Sequence, residues 1–124
     1  MAEPKTKHFA ASELRCTCDI CKGEVPNECD PFALSMLQKI REEVGALGLS
    51  SAFRCAQHPD EARKAKPGQH FNGVAFDIRV GWGVKRMRIV ALALKLGAKG
   101  FGFGNSFLHI DWRLSAEPVS WTYS

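Results

Sequence analysis

Two short stretches of this chain alternate more strictly than anything else in it. In residues 74–80, Val74, Phe76, Ile78 and Val80 fall on one side of an extended backbone, and Ala75, Asp77 and Arg79 fall on the other. In residues 107–113, Leu108, Ile110 and Trp112 share one side, while Phe107, His109 and Asp111 share the opposite side. A period of two with one apolar face demands strands laid against a core. The chain must therefore build a sheet, and the other face of that sheet carries a carboxylate and an imidazole.

Helices must supply the layer that covers the apolar face. Asp30-Pro31 predicts a helix start, with a carboxylate at the N-cap and proline at the first helical position, where its missing N–H costs nothing. Ala33, Leu37, Ile40, Val44 and Leu47 then recur at three- and four-residue spacing as one apolar stripe. A second amphipathic helix is predicted from about Val84 to Leu96. Its expected stripe is Met87, Val90, Ala91 and Leu94, with Lys85, Arg86 and Arg88 outside it and Gly97 closing it.

Leu49 to Cys55 reads as a short strand, and Gln57 to Gly68 as a polar loop with at most a helical turn. Phe101-Gly102-Phe103-Gly104 reads as a strand joined to the next by a tight Asn105-Ser106 turn. The order helix, strands, helix, strands predicts an α+β fold, an antiparallel sheet with flanking helices. A chain of 124 residues fits one domain over 1–124, expected to act as a monomer.

Composition narrows the function. No apolar run approaches the roughly 18 residues needed to span a bilayer, so stable membrane insertion is excluded. The first residues lack the apolar core of a secretory signal, which predicts a protein that stays cytoplasmic until it is released to the cell wall or periplasm. The 17 basic and 13 acidic residues leave a formal charge of +4, a modest bias toward anionic partners. A nucleic-acid-binding zinc protein is disfavoured, because interleaved surface aromatics and a recognition helix are both lacking.

His70 lies seven residues before Asp77, across Gly73, whose freedom at positive φ allows the chain to turn the imidazole back to the strand start. With His109 these residues supply two neutral nitrogens and one oxygen. That set suits tetrahedral Zn²⁺ with a position left for water.

The segment Gln69-His70-Phe71-Asn72-Gly73-Val74-Ala75-Phe76-Asp77-Ile78 resembles the H-x-x-G-x-A-x-D motif of the zinc D-Ala-D-Ala peptidase family. Phe107-Leu108-His109-Ile110-Asp111 resembles its closing F-x-H-x-D strand, Ser51-Ala52-Phe53-Arg54-Cys55 its S-G-Y-R strand, and His8 to Leu14 its opening segment. The resemblance implies the fold shared by D-Ala-D-Ala carboxypeptidases, bacteriophage endolysins and the Hedgehog domain. It implies zinc on His70, Asp77 and His109, and a substrate carboxylate or carbonyl oxygen held by Arg54. The implied partner is a peptidoglycan stem peptide or cross-link, and the implied activity is that of a carboxypeptidase or endopeptidase in cell wall degradation, of the kind used in phage lysis.

The chain departs from the pattern at Gly68, where the family has serine, and at Ala52, where it has glycine. Related branches also place a base just before the last ligand, but Phe103, Gly104, Asn105 and Ser106 stand there. Asp111 is the best remaining candidate, either as general base or as the group that orients a ligand histidine. Asp60 and Glu61 are weaker ones. The alternative is a non-catalytic metal-binding module that recognises the cell wall.

Five cysteines cannot all pair with one another. Cys16, Cys18, Cys21 and Cys29 lie in an irregular loop, residues 16–29, at the spacing C-x-C-x₂-C-x₇-C, compact enough to surround a second, structural zinc. Disulfides formed after release, or plain thiols, are the other readings. Cys55 is expected to be buried and inert, or a partner for one of the four after oxidation. Trp82, Trp112 and Trp121 are candidates for a substrate groove or for packing.

Overall fold

The computed structural model describes residues 2–64 and 68–123. The expected polar loop of residues 57–68 thus falls in part, at 65–67, outside the described residues. Its helical turn is present as α2, Pro59–Ala62. The remaining elements are α1 (Pro31–Val44), β1 (Leu49–Ser51), β2 (Ala75–Arg79), α3 (Val84–Lys95), β3 (Gly100–Phe103), β4 (Phe107–Asp111) and β5 (Val119–Thr122), preceded by a 3₁₀ turn at Ala11–Leu14.

The fold is α+β. Its five strands run in the order β1-β2-β4-β3-β5 and are antiparallel except for β3 and β5, which are parallel. Antiparallel pairing was expected throughout. The last strand escaped notice because Val119, Ser120, Trp121 and Thr122 are exposed or half-buried at a sheet edge and show no buried alternate positions.

α1 forms as its signals dictate. The Asp30 carboxylate accepts a hydrogen bond from Ala33 N at 2.9 Å, and Gly45 ends the helix at φ 89°. Ala33, Leu34, Leu37 and Ile40 enter one apolar cluster with Phe76, Ile78, Leu108 and Ile110 from the sheet, and Val44 and Leu47 pack against it. Each fully buried Leu or Ile there contributes about 1.5 to 3 kcal/mol of hydrophobic stabilisation.

The stripe expected on α3 is displaced by one residue. Arg86, Ile89 and Ala93 are the buried positions, whereas Met87 is 59% exposed and Leu94 45% exposed. Arg86 is anchored on that face. Its Nη2 donates to the carbonyls of Val80 (2.5 Å) and Phe107 (3.0 Å), and its guanidinium lies 4.3 Å over the Trp82 ring. The buried face is also an apolar one: Ile89 and Ala93 are fully buried and Val90, Leu92 and Leu96 pack against the core, a stripe at three- and four-residue spacing one position before the expected one.

The strand expected over Leu49 to Cys55 stops at Ser51 after a register shift. Beyond it the backbone bonds elsewhere: Phe53 N donates to Leu14 O (3.2 Å), Arg54 N donates to His70 O (3.3 Å), and Ala52 O accepts from His70. Those groups organise the site, not the sheet.

Candidate metal centre

The register of β2 against β4 sets Asp77 directly opposite His109. Because both residues lie on the face that the core does not occupy, their side chains meet: His109 Nδ1 lies 3.0 Å from Asp77 Oδ1. His70 arrives from the turn before β2. Gly73 adopts φ 78° there, and a Cβ would collide with the Glu28 carbonyl, so the position suits glycine alone. The turn brings His70 Nε2 to 3.2 Å from the same Asp77 oxygen, with the two imidazole rings 5.1 Å apart and nearly perpendicular.

The far side of each ring is also anchored. His70 Nδ1 lies 2.6 Å from the Ala52 carbonyl, an obligate acceptor, so the proton sits on Nδ1 and the Nε2 lone pair faces inward. His109 Nε2 lies 2.7 Å from Asp111 Oδ2, which likewise reserves Nδ1 for the interior. One oxygen and two nitrogens, all buried, lie within 4.8 Å of one another. Donor types, tautomers and convergence all fit zinc.

The electrostatics agree. Burial pushes the Asp77 carboxyl up, but hydrogen bonds from His109 and His70 outweigh it and hold the group far below the usual carboxylate range. Burial lowers His109, yet Asp111 and Asp77 on either side raise it above an ordinary histidine. Without metal, the ring keeps a proton that a cation would replace.

Arg54 braces the second Asp77 oxygen, with Nη2 at 3.3 Å from Oδ2, while its Nε donates to Ser51 Oγ at 3.1 Å. It lines a cleft of about 710 Å³ above the cluster, whose walls also carry Arg63, Lys64 and Arg113. Trp121 and Tyr123 form the apolar side, with the Trp121 ring 5.1 Å from that of His109.

Asp111 is fully buried and absent from the cleft wall. Its Oδ2 accepts from His109 Nε2 and Arg113 Nη2 (2.8 Å), and its Oδ1 accepts from Arg113 N (3.1 Å) and Nε (2.9 Å). Burial works against the carboxylate, but His109 and Arg113 bring it down to about 2. Opposite it, β3 presents Gly100, where a Cβ would land on the Asp111 carboxylate. Gly102, opposite His109, leaves room in the same way for Trp121 and Tyr123.

Asp60 stands on the cleft wall, paired with Arg63 at 2.7 Å and Arg54 at 3.7 Å. Glu61 is buried and occupied, accepting from Gly68 N at 3.1 Å and pairing with Lys64 at 3.0 Å. Of the tryptophans, Trp121 alone reaches the cleft. Trp112 is buried with its Nε1 on Leu96 O, and Trp82 stacks on Phe103 and Arg86. Sequence reasoning missed Arg113, although the alternation of 109, 111 and 113 on one strand face was the signal for it.

The cysteine reading needs correction. The sulfurs that gather are those of Cys16, Cys18, Cys21 and Cys55. Cys29 is buried apart from them, and that burial pushes its thiol up to about 12. The backbone turns between residues 21 and 29, with Lys22 and Gly23 both at positive φ, and carries Cys29 away toward Phe53.

Compared with known proteins, residues 7–111 match the family described as Peptidase M15. No curated protein and no solved structure matches the chain.

Proposed function

This chain belongs to the peptidase M15 family of zinc peptidases, and on that premise we propose that it hydrolyses peptide bonds in the stem peptides or cross-links of peptidoglycan, as a phage or prophage lysis enzyme does. The observation that carries the reading is the convergence of His70, Asp77 and His109 at the base of a cleft walled by guanidinium groups.

Zinc, when held by those three side chains, supplies a Lewis acid that polarises a peptide carbonyl and acidifies water. The chain's own residues do the rest. Ala52 O and Asp111 fix the two imidazoles in the tautomers that binding needs. Arg54 and Arg113 line the cleft with guanidinium charge that attracts a carboxylate such as the C-terminus of a stem peptide, while their Nε and Nη2 atoms are engaged by Ser51, Asp77 and Asp111. Trp121 and Tyr123 shield one side from water and offer apolar surface to the substrate's methyl groups.

Asp111 acts as a positioning residue, since all its contacts are spent on His109 and Arg113. Asp60 is the carboxylate that lines the cleft without joining the His/Asp/His group, and it takes the role of proton acceptor at Oδ2.

Incubating the zinc-loaded protein with intact peptidoglycan and weighing the released fragments tests the reading. New peptide termini that vanish with chelator and return with zinc are expected. Zinc-loaded protein that binds the polymer but leaves it uncut would instead establish the non-catalytic recognition module.

A further inference from the structure

The cluster of cysteine sulfurs lies outside this machinery. Four side chains from two distant segments, residues 16–21 and residue 55, place every sulfur within 4.8 Å of the others, and all four residues are buried. Cys18 Sγ is 3.6 Å from Cys21 Sγ and 3.7 Å from Cys55 Sγ. A tetrahedral ion with zinc–sulfur bonds of about 2.3 Å sets its sulfurs about 3.8 Å apart. The cluster therefore has the dimensions of a tetrathiolate cage.

Backbone N–H groups face three of the four sulfurs, while the fourth, Cys21 Sγ, donates to the Cys16 carbonyl at 3.2 Å. N–H groups of Cys21 and Ile20 face Cys18 Sγ, those of Cys55 and Cys18 face Cys16 Sγ, and that of Gln57 faces Cys55 Sγ. Directly after Cys21, Lys22 adopts φ 51° and Gly23 φ 75°. A lysine in the left-handed region costs about 1 kcal/mol, a conformation retained where its surroundings impose it. Here it closes two successive turns, in which Lys22 N donates to Cys18 O and Glu24 N to Cys21 O, both at 2.9 Å, and so holds Cys18 and Cys21 close together.

We propose that Cys16, Cys18, Cys21 and Cys55 hold a structural zinc ion, distinct from the His70/Asp77/His109 centre, which clamps the N-terminal loop to the segment bearing Arg54. On binding, the thiol protons leave to solvent as four zinc–sulfur bonds form, with no change of oxidation state. Cys55 directly follows Arg54, and Ala52 O orients His70. The clamp therefore holds one wall of the cleft in place. The assignment does not depend on the peptidase reading.

The test is metal analysis of the full chain purified under reducing conditions, together with cobalt substitution. The wild type is expected to hold one zinc ion more than a His109→Ala variant retains, and its cobalt form to show intense thiolate-to-cobalt charge-transfer absorption. That band should persist in His109→Ala and Cys29→Ser and disappear in Cys55→Ser. Should Cys55→Ser fail to fold, alkylation of the wild type mapped by mass decides the matter: chelator should speed modification of Cys16, Cys18, Cys21 and Cys55 and leave Cys29 unchanged. A cobalt protein without the band, a disulfide within the cluster, or alkylation indifferent to chelator would overturn the proposal.

Discussion

His70, Asp77 and His109 are held by a sheet, whereas Cys16, Cys18, Cys21 and Cys55 are held by loops. In the first cluster, the pairing of β2 with β4 brings Asp77 and His109 together before any ion arrives, and Ala52 O and Asp111 fix the rings from behind. In the second, the members come from a turn and from a segment that has left the sheet, and sulfur-to-sulfur contact replaces strand register. The difference separates a centre preorganised for chemistry from one whose ion organises the chain around it.

The sharpest way to break that contrast is Asp77→Ala. The shared oxygen goes, and zinc affinity at the sheet centre should fall by more than the roughly 100-fold that loss of an outer partner causes. The thiolate-to-cobalt band should stay. Loss of both metals together, seen by metal analysis, would mean that the two clusters are one cooperative unit.

Asp111→Asn comes next. It should lower zinc affinity or turnover by about 10- to 100-fold while the far-ultraviolet spectrum stays native. A variant with native zinc affinity and a flattened pH profile would mark Asp111 as the base instead.

Gly100→Ala probes the same carboxylate from the facing strand. It should destabilise the fold by about 1 to 3 kcal/mol in denaturant titration through overpacking against Asp111. The corresponding alanine at Gly83, where a Cβ meets no atom, serves as the comparison for backbone strain without collision.

Acidity sharpens the contrast further. In the metal-free protein, His109 is raised above its ordinary value, so its protonated form contributes stability that is fully present below about pH 6.5 and is lost as pH rises through the raised value. Zinc competes with that proton, and zinc-induced thermal stabilisation should therefore grow with rising pH between about 5 and 8. A stabilisation by zinc that is constant over that window would deny the competition. The smallest effect is expected from Arg54→Lys, which keeps the charge but loses the fork: KM should rise about tenfold or less with kcat little changed.

The sheet centre was legible because alternation assigns faces. Once Asp77 and His109 were on the polar side of strands that must pair, only their register was left open. The cysteine cluster was harder, because neighbours in sequence suggested Cys29, whereas the left-handed turn at Lys22 and Gly23 sends that residue elsewhere and Cys55 takes its place. The face of α3 misled for another reason. The helix offers two adjacent apolar stripes, and the one through Ile89, Leu92, Ala93 and Leu96 is turned to the core, with Arg86 beside it bonded to two backbone carbonyls and lying over one indole ring. β5 went unread because an exposed edge strand carries little pattern, although the strand supplies Trp121 to the cleft, whereas Arg113 continues the alternation of His109 and Asp111 and was passed over.

The glycines of β3 carry a wider implication. With hydrogen in place of side chains at Gly100 and Gly102, β3 adds no recognition surface of its own at these positions. Apart from Phe107 and Arg113, the described side chains that line the cleft outside the His/Asp/His group come from the periphery, from Trp121 and Tyr123 and from Arg54, Asp60, Arg63, Lys64 and Gln69. Such a division lets substitutions at the rim retune which peptide is accepted while the reactive centre stays untouched.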